Sequence, residues 1–455
     1  MSYAEAIRFL YDLQVFGMKL GLENALRLAA LAGHPQRRLR FIHVAGTNGK
    51  GSTCAMLEGI YRAAGWRVGL FTSPHLVSFA ERIQVDRRLI GQGEVARSVE
   101  EMRSLLQGGD FPDAPPTFFE VVTVMALQYF ARQGCDLVIW ETGLGGRLDA
   151  TNIVTPLASV ITNIQLDHQK WLGETLGEIA REKAGIIKPN IPILTTATDP
   201  AALEVISQTA RDRAAPLTIL TGRDAEIRGY EIGLCGEHQR TNAALALAVV
   251  RALRERLPVP DAAIRAGLKE VQWAGRLQRV ERADGQIILL DGAHNPAGAQ
   301  SLAAALPAMM PPGGAGAGRP PALILGTMRD KDYAAICQIL APLAGKILLA
   351  PIGSHRTADP VLLAGYCRAA NPRAAAVPCE NLAAAFARAA GEKFIIVTGS
   401  IHFIGEAMEC LGLVPPSAER ALNDYLPSSL LHSAPNPNLN PNLNPNLNPN
   451  LNPNL

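Results

Sequence analysis

Arg40-Phe41-Ile42-His43-Val44-Ala45-Gly46-Thr47-Asn48-Gly49-Lys50-Gly51-Ser52-Thr53 is the stretch that decides the fold. A short apolar run ends in a glycine-rich turn, and a helical stretch follows through Ala64. In a strand–turn–helix of this kind, glycines let backbone N–H groups curl around a polyphosphate. The helix N-terminus adds partial positive charge. Lys50 is placed to reach the β- and γ-phosphates of a nucleotide. The stretch departs from the general P-loop pattern at two places. Val44 stands where the first Gly belongs, and Gly51 stands where a Ser or Thr would hold Mg²⁺. A metal-binding hydroxyl therefore has to come from elsewhere. A purely structural glycine turn is the alternative reading.

Outward from this loop, strands alternate with helices. Arg67 to Phe71, Asp136 to Trp140 (ending at Glu141), Ala158 to Ile164 and Ile193 to Ala197 are apolar runs of strand length, and Phe119 to Arg132 reads as a helix. Continuously apolar strands imply a parallel sheet covered on both faces. A break falls at 257–285, after an alanine-rich helix around 243–257. Alternation then resumes with strands at Gln286–Leu290, Ala322–Gly326, Lys346–Ala350 and Lys393–Val397. The expected fold class is α/β. An N-terminal P-loop, parallel-sheet ATPase domain (1–275) precedes a smaller C-terminal Rossmann-like α/β domain (276–415) and a disordered repeat tail (416–455). Pro311 to Pro321 reads as a surface loop. Asn436 to Leu455 is Asn-Pro-Asn-Leu repeated five times. A proline every fourth residue forbids helix and sheet ladders, so disorder is expected there.

Composition narrows the functional classes. Of 455 residues 48% are hydrophobic, enough for two cores, and Lys plus Arg number 43 against 41 Asp plus Glu. So even a balance argues against broad adhesion to nucleic acid or an anionic membrane. The seven cysteines are scattered, without a C-x-x-C pair, which suggests reduced thiols in a cytoplasmic protein. Charged residues within Met1 to Leu20 exclude a signal-peptide core. No uncharged apolar run reaches the ~18 residues a membrane span requires.

Gly46-Thr47-Asn48-Gly49-Lys50-Gly51-Ser52 resembles the nucleotide loop of the Mur ligase superfamily in the form used by folylpolyglutamate and dihydrofolate synthases. The likeness continues in order through Phe71 to Leu76, Glu81-Arg82-Ile83, Thr117-Phe118-Phe119-Glu120, Glu141 to Asn152, Leu166-Asp167-His168 and Glu182-Lys183-Ala184-Gly185. It ends with His238-Gln239 and Asn242, Trp273 with Gly275-Arg276, and Asp291 to Pro296, covering roughly residues 15 to 410. The resemblance implies a folate site in the first domain, a glutamate ligase role for the second, and an acyl-phosphate reaction. In that reaction ATP phosphorylates a carboxylate, an amine attacks, and an amide remains.

Read physically, Glu141 ends an apolar strand beside a Gly-rich turn, where a ligand-facing carboxylate is expected. Ser73 fills the hydroxyl role vacated at Gly51. Both suit Mg²⁺, a hard cation. By resemblance Ser73, Glu141 and His168 are magnesium ligands, although a lone His in this setting otherwise reads as a structural hydrogen-bonder. Taken alone, Lys183 is a solvated helix lysine. The resemblance makes it a carbamylated lysine holding a second Mg²⁺, and with Lys50 and His294 it forms the expected catalytic set. ATP contacts are expected from the loop residues Thr47, Asn48, Gly49, Lys50, Gly51, Ser52 and Thr53, and the resemblance adds Asn242, Arg276 and Asp291, the Asp291-Gly292 pair reading otherwise as a turn. Met18, Lys19, Leu20 and Thr117, Phe118, Phe119, Glu120 resemble segments lining the folate site, with Phe118 and Phe119 equally readable as core. Members that also make dihydrofolate from dihydropteroate often carry Asp at the position of Lys19, so the expected activity is folylpolyglutamate synthesis, with the bifunctional enzyme as the alternative. The expected partners are folate or dihydropteroate, L-glutamate and ATP, acting on a monomer. A cell-wall Mur ligase is disfavoured because the P-loop arrives at Gly46, without room for a UDP-binding domain. An inactive nucleotide-binding regulator would not need the metal ligands.

Overall fold

A computed structural model describes residues 1–17, 21–112, 114–220, 227–310 and 320–424. The first sheet contains β1 (Phe41–Ala45), β2 (Val68–Phe71), β3 (Ile83–Val85), β4 (Arg88–Leu89), β5 (Leu137–Glu141), β6 (Ala158–Ile161), β7 (Ile193–Thr195) and β8 (Leu217–Ile219). Its spatial order is β4-β3-β2-β5-β1-β6-β7-β8, parallel from β2 to β8 with β3 and β4 antiparallel at one edge. β1 shows why the strands read as unbroken apolar runs. Phe41 packs on one face with Trp140 and Phe71, while Ile42 and Val44 pack on the other with Ile139 and Leu70. Both faces are covered, so neither tolerates the polar alternation of a half-solvated strand. Trp140 stacks on Phe71 at 4.4 Å between ring centroids and meets Phe41 edge-on at 5.7 Å, geometries that aromatic quadrupoles favour.

The second sheet contains β9 (Gln278–Glu281), β10 (Ile287–Asp291), β11 (Ala322–Leu325), β12 (Lys346–Leu349), β13 (Ala375–Pro378) and β14 (Phe394–Thr398). Its order is β13-β12-β11-β14-β10-β9, parallel except for β9. The expected break at 257–285 is not structureless: it holds the helix Asp261–Glu270 and β9. That helix packs so tightly on Lys50–Ala63 that Gly267 and Gly59 touch backbone to backbone. No helix among the described residues is long and apolar enough to cross a membrane.

One boundary needs correction. Residues 416–424, expected to belong to the disordered tail, instead pack against the body, burying Leu422, Asn423 and Asp424. The carboxylate of Glu419 accepts hydrogen bonds from Tyr3 Oη, Ser78 Oγ and Phe79 N–H, which fixes the segment. The five tetrapeptide repeats and most of the Pro311–Pro321 segment lie outside the described residues.

Candidate active site

In parallel sheets the strands' carboxyl ends carry ligand-facing groups, and here the ends of both sheets open on one cavity. β1 delivers the glycine loop, β5 delivers Glu141, β10 delivers Asp291, and β14 leads to Ser400; all line the cavity. Gly49 caps the helix Lys50–Ala63 in the left-handed region at φ 85°. Asn242, from the helix Glu237–Ala252, packs so closely that a β-carbon at Gly49 would fall 2.5 Å from its Oδ1. The loop is tied to the strand beside it: Asn48 N–H donates to Asn163 Oδ1 (2.8 Å), and Thr162 Oγ1 donates to the Asn48 carbonyl (2.6 Å).

Gly51 has a reason to depart from the P-loop pattern. A β-carbon there would lie 2.9 Å from Trp273 Nε1. That indole is held by the Arg87 guanidinium, 5.0 Å from its ring centroid, and Arg87 in turn pairs with the fully buried Glu58 at 3.6 Å. Gly51→Ser, which restores the general P-loop residue, should therefore cost about 1–3 kcal/mol of stability through overpacking and raise the KM for ATP. Thermal melts and ADP release check this; a variant as stable as the parent and more active would refute the steric account.

Two lysines converge on one carbonyl. Lys50 Nζ donates to the Gly46 and Thr47 carbonyls (3.0 and 3.1 Å), and Lys183 Nζ donates to the same Gly46 carbonyl at 2.8 Å. Lys183 is not a solvated surface lysine: it is 4% exposed. Burial, reinforced by the charge of Lys50, brings its pKa down to about 7. Glu141 is 4% exposed and its Oε2 accepts the Ser73 N–H at 3.1 Å. Burial pushes its carboxyl up to about 7 despite the opposing attraction of Lys50. A buried carboxyl in that state gains from a cation placed beside it. Ser73 and His168 line the same cavity, and no group of three or more His, Cys, Asp or Glu side chains among the described residues could hold a metal ion. The Ser73 hydroxyl and the Glu141 carboxylate are hard oxygen donors that suit Mg²⁺, which keeps waters and takes substrate phosphate oxygens, and the His168 imidazole is the softer member of the set.

A further cluster joins the two sheets. Asp167 accepts from Lys331 Nζ at 2.6 Å and from Asn295 Nδ2 at 3.0 Å, and His294 Nε2 lies 3.5 Å from it. Burial would raise this carboxyl, but His294, Lys331 and His168 outweigh it and hold it far below the usual carboxylate range. Asn295 also exchanges two amide hydrogen bonds with Asn48 of the glycine loop, at 3.0 and 3.1 Å. His294 Nδ1 meets the Gly292 carbonyl at 2.8 Å.

The cavity gathers Thr47 to Ser52, Ser73, Glu141, His168, Lys183, Asn242, Arg276, Asp291, His294, Phe118 and Phe119. Thr53 is fully buried and does not line it. Both oxygens of Asp291 accept backbone N–H groups, from Leu277 and Ala293, so its carboxylate also fixes the turn. The structure places Thr117 and Glu120, expected as substrate contacts, away from this cavity. They form a capping box at the start of the helix Phe118–Arg132. Phe118 satisfies both of its readings, since it is 6% exposed, packs edge-on to Phe79 and still lines the cavity. Met18, Lys19 and Leu20 lie outside the described residues. Asp167, Asn295 and Lys331 were not among the site residues read from the sequence as ligands or catalysts. Asn295 before Pro296 signals a helix N-cap and nothing more, and Lys331 stands 164 positions from its partner.

A glycine loop whose Gly46 carbonyl receives two lysines, with a buried carboxyl in the same cavity and a second α/β unit lining it, defines an ATP-dependent ligase of the Mur type. The Mur ligase middle domain matches residues 44–219, and the Mur ligase glutamate ligase domain matches residues 275–401. The chain is 35% identical to the dihydrofolate synthase/folylpolyglutamate synthase of Bacillus subtilis (strain 168), over 89% of this chain and 98% of that one. It is 33% identical to the folylpolyglutamate synthase of Lacticaseibacillus casei, over 90% and 99%. The structure of Mycobacterium tuberculosis folylpolyglutamate synthase complexed with ADP and AMPPCP superposes with a TM-score of 0.80 at 31% identity, covering 91% of this chain and all of that one. The chain belongs to the folylpolyglutamate synthase and dihydrofolate synthase family of Mur ligases.

Proposed function

We propose that this protein joins L-glutamate to the carboxylate of a reduced folate at the expense of ATP, through an acyl phosphate. The observation that carries the reading is the convergence of Lys50 and Lys183 on the Gly46 carbonyl, in the same cavity as Glu141. The γ-phosphoryl group passes to the folate carboxylate, releasing ADP. The glutamate amine then attacks the acyl carbon, phosphate leaves, and the amine's proton is lost to give the amide. Lys50 and Arg276 neutralise the triphosphate, and the backbone N–H groups of the loop orient it. Ser73, Glu141 and His168 would hold Mg²⁺, and a carbamylated Lys183 a second ion; bound there, the metal offsets charge on the phosphoryl oxygens. Phe118 and Phe119 offer aromatic surface to a flat pterin. The second α/β unit excludes water that would hydrolyse the acyl phosphate.

The reading extends to a cytoplasmic monomer acting on small molecules, without a nucleic-acid or membrane partner. A bifunctional enzyme that also accepts dihydropteroate is the second reading, because the Bacillus subtilis relative carries both names. Mass spectrometry of products formed from Mg-ATP, glutamate and either acceptor separates the two. Product from the folate alone marks a dedicated folylpolyglutamate synthase, and product from both marks the bifunctional enzyme. Product from neither would overturn the substrate reading.

A further inference from the structure

The chain crosses from the first sheet to the second through residues 271–277, between the helix Asp261–Glu270 and β9. Each end of this crossing is set in a different core. Val271 is buried with the first sheet and Trp273 packs against the same cluster, while Leu277 is buried with the second. Arg276 lies between them and lines the cavity. On the side of the second sheet the backbone is pinned. Leu277 N–H donates to Asp291 Oδ2 at 2.9 Å, and Gly292 N–H donates to the Gly275 carbonyl at 2.9 Å.

On the side of the first sheet a hairpin supplies the hold. β3 and β4 meet at a turn whose residues, Asp86 and Arg87, both sit in the left-handed region, at φ 50° and 67°. Asp86 anchors the turn, since its Oδ1 accepts the Val68 N–H at 2.9 Å. The tip carries the Arg87 guanidinium onto the crossing. There Nη2 donates to the Gln272 carbonyl, and the guanidinium carbon stands over the Trp273 ring. Nε faces the carboxylate of Glu58, which belongs to the helix that begins at the phosphate loop. One guanidinium therefore touches the crossing and the phosphate-loop helix together. These are the two structures that must keep Arg276 and Lys50 at a fixed separation if both are to meet one triphosphate. A planar, forked cation suits the task, because it meets partners along its edges while its face lies on an aromatic ring.

We propose that Arg87 is a positioning residue for nucleotide binding: acting through Gln272 and Trp273, it fixes where Arg276 stands relative to the phosphate loop. This rests on the reading in which Arg276 and Lys50 neutralise the triphosphate of ATP. Arg87→Lys keeps a charge beside Glu58 and loses the fork. In the full chain it should raise the dissociation constant of a non-hydrolysable ATP analogue, and the KM for ATP, about tenfold, the scale of one hydrogen bond from a charged group. The KM values for folate and glutamate and the Tm should stay at those of the parent. A second variant shows whether the effect runs through Arg276. Added to Arg276→Ala, Arg87→Lys should weaken analogue binding by no more than about twofold further, because coupled residues are not additive. Full additivity would mark Arg87 as a support of the fold alone and overturn the proposal. Unchanged nucleotide affinity in Arg87→Lys would overturn it too, as would a joint rise of all three KM values with a lower Tm. Should Arg87→Lys not fold, Arg87→Gln combined with Glu58→Gln, which removes both members of the pair, carries the same comparison. The titration needs no turnover, so a parent that binds the analogue without glutamate-dependent turnover would sink the ligase reading alone. A parent that does not bind it would sink both.

Discussion

Lys183→Ala should lower glutamate-dependent ADP release by at least about 10²-fold, the scale expected when one preorganised charge is removed from a phosphoryl-transfer site. The side chain is buried against the Gly46 carbonyl, so the loss acts where the triphosphate is held. The amine's low pKa makes a second effect measurable. Carbamylation consumes a neutral amine and CO₂ and releases a proton, giving a carbamate anion. With its pKa near 7, the Lys183 amine is neutral above that value and protonated below it. Carbamate and activity should both fall as pH drops through 7. Glu141 moves the same way, since its carboxyl near 7 takes up a proton over that range and gives up its hold on a cation. Native mass spectrometry should show the addition of one CO₂, lost on acidification and absent from Lys183→Ala. Full activity in the alanine variant would remove Lys183 from the mechanism.

Asp167→Asn should be comparably damaging for a different reason. The substitution keeps the shape of the side chain but leaves Lys331, 8% exposed, without its counter-charge. Breaking a buried pair by neutralising one partner costs about 3–5 kcal/mol. Here that cost falls on the contact joining the two sheets, since Lys331 follows β11 and Asp167 follows β6. We expect kcat/KM to fall by about two orders of magnitude or more, on that energy scale. The pH profile separates the two variants. The carboxyl of Asp167 is depressed, so its contribution is present above the ordinary carboxylate value of about 3.9 and is lost only at lower pH. Its pairing is therefore intact throughout the range in which Lys183 titrates. A variant with parental melting and turnover would refute a coupling role for Asp167.

Much of this architecture was legible because the physics involved is local. Strands β1, β5, β6 and β7 announce themselves as apolar runs, since both faces are covered, and the glycine loop follows from its setting between strand and helix. The edge strands were not readable. β3 and β4, three and two residues long, are too short to show a periodicity even though β3 is buried throughout, and β8 is partly exposed. Thr117-Phe118-Phe119-Glu120 shows one segment with two meanings, where the capping box explains the outer pair and the cavity involves the inner pair. The burial of Lys183 was invisible because its neighbour, the Gly46 carbonyl, lies 137 positions away. Asp167 with Lys331, and Arg87 with Gln272, are likewise products of tertiary folding. What the sequence of Gly51 did show was a departure from pattern, whose cause, Trp273, only the packing supplies.

The most direct test of an acyl-phosphate ligase follows an oxygen atom. A reduced folate labelled with oxygen-18 in its side-chain carboxylate, turned over with Mg-ATP and glutamate, must hand one label to the inorganic phosphate if ATP phosphorylates that carboxylate. Labelled phosphate in step with the glutamylated product is the predicted result; unlabelled phosphate alongside that product would contradict the acyl-phosphate route.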